Sequence, residues 1–144
     1  MELSYAFLAR AAEQAQDGTI HVFGADFDTI QLPAFPAMAP PFALLISFAC
    51  RPDELGDVHE VEIQIEDPHG VRSRAAEKQL VLGEGLAETK RRFRASLLTM
   101  IGMLFSEAGE YRFVILVDGS VVKTLPLLAV QTAPKPAEKV EAER

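Results

Sequence analysis

Cysteine and tryptophan are what this sequence has least of: Cys50 stands alone and there is no tryptophan. One cysteine excludes an intrachain disulfide framework and any metal site built from several thiolates. Long apolar runs are missing too, since nothing approaches the roughly 18 residues that a spanning helix needs. Met1-Glu2-Leu3-Ser4-Tyr5 puts no basic stretch ahead of its short apolar run, so no secretion signal is read. These absences together predict a cytoplasmic protein with no membrane partner. Positive charge is also scarce, with 14 Lys and Arg against 21 Asp and Glu and a net charge of −7. The end segment Pro134–Arg144 balances three bases against three acids, so the body carries the whole excess. A negative body repels phosphate backbones, and no nucleic-acid partner is expected.

What is present is an ordinary globular composition. At 144 residues a chain suits one domain, long enough to bury roughly 68% of its unfolded surface. That domain is assigned to residues 1–132. The remainder, 133–144, holds two prolines, alternating charges and a single bulky apolar residue, Val140. Such a segment cannot offset the entropy of ordering it, and it is expected to be disordered.

Strand signals dominate the body. Val61, Ile63 and Ile65 alternate with Glu60, Glu62, Gln64 and Glu66, the period of two that gives a strand one apolar and one wet face. Asp67-Pro68-His69-Gly70 then carries the proline and glycine of a type I turn, which predicts a hairpin into Val71. Tyr111, Phe113, Ile115 and Val117 repeat the alternation before Asp118-Gly119, predicting a second hairpin into Val121–Val130. Gln16-Asp17-Gly18 separates Leu3–Ala11 from Thr19–Leu32 and predicts a third. Phe42–Cys50 is apolar almost throughout, as a central strand covered on both faces would be. Pro33–Pro41 is too rich in proline for a central ladder and reads as a loop or crossover. Lys90–Phe105 fits both a helical and a strand face. Its neighbours favour a strand, pairing with the closing hairpin.

The run Glu107-Ala108-Gly109-Glu110-Tyr111-Arg112-Phe113 is similar to the corner before strand F of immunoglobulin-like domains. There a tyrosine hydroxyl ties the corner to backbone a few residues upstream. Phe113 stands where antibody domains place a cysteine, so the resemblance is architectural. More broadly, Gly18-Thr19-Ile20-His21-Val22-Phe23-Gly24, then Phe27 and Ile30, the proline crossover, Asp67-Pro68-His69-Gly70 and Gly109-x-Tyr111 resemble an uncharacterised bacterial β-sandwich family over about Leu3 to Val130. The resemblance implies a fold and no activity. The expected architecture is all-β, an immunoglobulin-like β-sandwich of seven or eight mostly antiparallel strands.

Chemistry-bearing residues are few. Cys50 ends an apolar strand with no histidine nearby in sequence, which suits a buried apolar role. His21, His59 and His69 lack the short paired spacing of metal ligands. Gly83-Glu84-Gly85 has no strand-then-helix context or lysine to cradle phosphate. Ser120 lacks the flanking glycines of a nucleophile elbow. Lys90, Arg91, Arg92 and Arg94, with Phe93 among them, form the one basic cluster, read as a solvated segment before a strand, with grip on an acidic partner or a phosphate chain as its alternative. Glu60, Glu62 and Glu66 share a wet face. No catalytic, cofactor or metal residue is assigned. Phe35 and Met38 remain, apolar side chains on the stiff proline segment, which suit either a plug beneath the sheets or a protein interface. The expected function is therefore a non-enzymatic binding or assembly module, with a protein partner or a second copy. The alternative is an enzyme or small-ligand protein whose site joins residues distant in sequence.

Overall fold

Alternating apolar residues can bury one face of each strand only by pairing two sheets, and that is what the computed structural model contains. It describes residues 1–86 and 90–132, and the end segment 133–144, expected to be disordered, lies outside the described residues. One sheet carries β1 (Glu2–Gln14), β2 (Ile20–Ala25), β5 (Phe42–Cys50) and β8 (Phe93–Ile101) in the order β2-β1-β5-β8. The other carries β3 (Thr29–Leu32), β6 (Val58–Glu66), β7 (Arg72–Val81), β10 (Gly109–Val117) and β11 (Ser120–Gln131) in the order β3-β11-β10-β6-β7. Two short strands, β4 (Ala37–Met38) and β9 (Leu104–Phe105), pair with each other. Among the described residues all pairs are antiparallel except β3 with β11. Among the described residues no helix is long and apolar enough to cross a membrane.

Among the described residues, eleven strands in three sheets replace the expected seven or eight. The difference has local causes. Thr19–Leu32 breaks into β2 and β3 because Gly24 and Asp26 adopt positive φ angles of 62° and 61°. Lys90–Phe105 is extended, but Gly102 and Met103 part β8 from β9. The proline crossover contributes β4. β8 pairs with β5 and not with the closing hairpin, so β5 is an interior strand of its sheet, between β1 and β8.

Both sheets supply one apolar core. Leu8, Leu44, Ile46 and Phe48 come from the first, and Val61, Ile63, Phe113, Ile115 and Leu127 from the second. The Phe42 ring meets Phe113 edge-on at 5.8 Å and Phe27 at 5.6 Å, joining the layers by direct ring contact. Burying each such ring contributes roughly 1.5–3 kcal/mol. β5 is covered on its outer face as well. Ala9, Ala43 and Leu45 form a second cluster there, packed by Ala12, Ile20 and Val22 of the β1–β2 hairpin. Gln14, near the hairpin tip, lines the same cleft as Arg94 and Ser96, so the hairpin lies back across the sheet as a partial third layer.

Candidate functional site

β7 and β8 are the edge strands on one side of the two sheets, and a groove of about 420 Å³ opens between them. Ile65, Ile101 and Tyr111 line it together with Ser73, Arg74 and Met103. Its lip is apolar and wet: Val71 is 63% exposed, Met100 52% and Leu104 56%. Met38, 63% exposed, stands directly opposite Leu104 in the β4–β9 pair and extends that lip. Each exposure follows from backbone placement. Met100 alternates outward between buried Thr99 and Ile101, Val71 leaves the 67–70 turn, and the crossover prolines brace β4. Phe35, by contrast, is half-buried and packs against the core. The two residues singled out on the crossover thus part company, one a plug and the other a surface.

The groove rests on a fixed corner. The Tyr111 hydroxyl donates to the Glu107 carbonyl at 2.8 Å and accepts from the Glu107 amide at 3.3 Å, while its ring meets Phe105 edge-on at 5.1 Å. Asp67 Oδ1 accepts from the His69 and Val71 amides, closing the turn that aims Val71. His69 Nε2 lies 2.8 Å from a Glu107 oxygen and links that turn to the corner.

Further along the same edge, pairing by another strand is discouraged. Ala75 is a bulge residue, skipped between Ile63↔Ala76 and Gln64↔Arg74. Lys78 reaches across to donate to the Leu98 carbonyl of β8. A bulge and a charge turned toward the opposite edge are devices that keep edge strands from templating new pairs.

The other residues considered from sequence fall in separate places. His21 is exposed on β2, His69 sits in its turn, and His59 lies on β6. Among the described residues no group of three His, Cys, Asp or Glu side chains gathers to hold a metal ion. Cys50 is fully buried, and burial, with the Glu54 charge second, pushes its thiol up. It is no ready nucleophile. Glu62 is held below the usual carboxylate range, first by Gln64 and then by Arg74, while Glu66 pairs with Arg72 and Arg112. Lys90, Arg91 and Arg92 precede β8 on the surface, and Arg94 lies 3.5 Å from the Ser47 hydroxyl.

The pairing of His59 with Asp118, 59 residues apart, was not legible from sequence. His59 Nδ1 lies 2.6 Å from Asp118 Oδ2, and Asp118 Oδ1 accepts from the Glu60 amide. That amide bond, with the His59 contact second, lowers the Asp118 carboxyl. The carboxylate accepts, so Nδ1 carries the proton. Nε2 is buried without a partner, at the side of a cavity of about 300 Å³ shared with Leu3, Phe48 and Glu54. Among the described residues no hydroxyl or thiol hydrogen-bonds Nε2. The apolar lip was equally hidden, because Met38, Val71, Met100 and Leu104 come from separate segments and each is unremarkable alone.

No curated protein matches the chain in sequence. Residues 4–130 match a family described as "Family of unknown function (DUF6941)", so the chain belongs to that family.

Proposed function

We propose that this domain is a non-enzymatic binding module of the bacterial cytoplasm that docks a protein, or a second copy of itself, on the Met38, Val71, Met100 and Leu104 lip. The observation that carries the reading is that three exposed apolar side chains, Val71, Met100 and Leu104, line one groove, with exposed Met38 paired to Leu104 beside it. Exposed apolar side chains set among polar ones favour association, and methionine adapts its shape to a partner. The Tyr111 corner supports docking by giving that surface a fixed base, which lowers the ordering cost of binding.

The strand orders of the two larger sheets support an immunoglobulin-like arrangement. The order β1-β5-β8 corresponds to strands A, B and E, and β11-β10-β6-β7 to G, F, C and C′. Tyr111, near the start of β10, has the hydroxyl-to-backbone bond of an E–F corner tyrosine.

The double variant Met38→Glu, Leu104→Glu tests the site. Both side chains are exposed, so the fold should persist by circular dichroism. Light scattering and affinity capture from native extract should lose any self-association or retained protein seen with the parent. An identical mass and an identical set of retained proteins for parent and variant would remove this groove from the reading.

A further inference from the structure

A second concavity, apart from that groove and not dependent on it, lies where β3 meets the start of β5. Its volume is about 370 Å³, and its walls are Phe27, Ile30, Leu32, Pro40, Pro41 and Phe42, with Gln31 and one charged residue, Arg10. A space near the lower end of the roughly 300–1,000 Å³ range of ligand sites, apolar with a few polar groups, suits a small amphipathic molecule.

Arg10 is held from three sides. Its guanidinium carbon lies 4.8 Å from the Phe27 ring centroid, and Nη2 is 3.5 Å from the Thr29 carbonyl. Gly24 leaves room for the stem, since a Cβ there would stand 2.9 Å from Arg10 Cγ. Arg51, Arg72, Arg74 and Arg112 each have a carboxylate within 4.0 Å. Among the described residues Arg10 has none. A pre-positioned guanidinium beside an apolar cavity, with no described carboxylate within 4.0 Å, suits an anionic group.

The geometry points to a small monocarboxylate with an apolar body, its carboxylate on the outer nitrogens of Arg10 and its body against Phe27, Phe42 and the prolines. One guanidinium balances one negative charge.

Octanoate is the probe and octanol its neutral control. In amide-resolved NMR titrations of the whole chain, octanoate should saturably shift residues 10, 27, 30–32 and 42. Octanol should bind roughly tenfold more weakly or not at all, the range expected for loss of a charge-assisted hydrogen bond. Arg10→Met should weaken octanoate by a similar factor without weakening octanol, while Arg10→Lys retains part of the preference. Equal binding of octanoate and octanol to the parent, which needs no variant, would overturn the assignment. So would octanoate shifts confined to another part of the molecule, or unchanged octanoate affinity in a folded Arg10→Met chain.

Discussion

Tyr111 contributes through both its ring and its hydroxyl, and the two can be separated. Tyr111→Phe keeps the ring against Phe105 but takes the donor from the Glu107 carbonyl and the acceptor from the Glu107 amide. Unfolding in urea should show a loss of about 0.5–1.5 kcal/mol; a midpoint equal to the parent's would count the corner as decoration. Gly109→Val should cost more, because φ there is 144° and a Cβ would lie 2.8 Å from Pro68 Cγ. At the same scale, the lowered carboxyls of Asp118 and Glu54 predict the direction of acid sensitivity. Asp118 is lowered first by the Glu60 amide, and Glu54 first by the Arg51 amide. A carboxyl with a depressed folded value adds stability that is complete above its unfolded value, near pH 4, and is lost as pH falls through the folded one. Melting temperature should therefore hold from pH 7 to about 5 and drop below about 4. Asp118→Asn should melt lower at neutral pH and lose less on acidification. The corner was legible in sequence because its residues are neighbours. His59 with Asp118 was not, because side chains 59 positions apart meet only once β6 lies beside β10.

Strands behave as their surroundings require. The edge strand β7 carries Lys78 toward the opening between the sheets, where it holds the Leu98 carbonyl. Lys78→Val removes that guard, and sedimentation should reveal association or aggregation absent from the parent. A variant that stays at the parent's mass up to millimolar concentration would show that the Ala75 bulge protects the edge unaided. The folded-back β1–β2 hairpin makes a separate prediction. Leu45 lies on the outer face of its sheet yet is almost fully buried, so Leu45→Ala should cost about 2–5 kcal/mol in urea unfolding, as in a true core. A cost below about 1 kcal/mol, the range of surface positions, would mean the hairpin does not cover it. The β6–β7 and β10–β11 hairpins were readable because alternation and turn residues agree. The β2–β3 break was not, because Phe27 and Ile30 continue an extended apolar pattern across the turn.

Across the whole molecule, the Phe42–Phe113 contact joins the two sheets. A double-mutant cycle with Phe42→Leu and Phe113→Leu should return a coupling of roughly 0.5–1.5 kcal/mol. Additive losses would mean that each sheet is stabilised without that ring contact. Composition and local pattern by themselves determined the all-β class, the central place of Phe42–Cys50, the principal turns and the lack of a multi-cysteine site. These are properties of residues close in the chain, where a period of two or a turn signal is written directly. Only the tertiary structure decided the two sheet orders, the parallel β3–β11 pair and the hairpin laid over β5. It also decided that Phe35 turns inward while Met38 joins Val71, Met100 and Leu104 at the groove. Those outcomes depend on which distant strands share an edge or a face. Identical local alternation is compatible with many pairings, and the burial they achieve together selects among them.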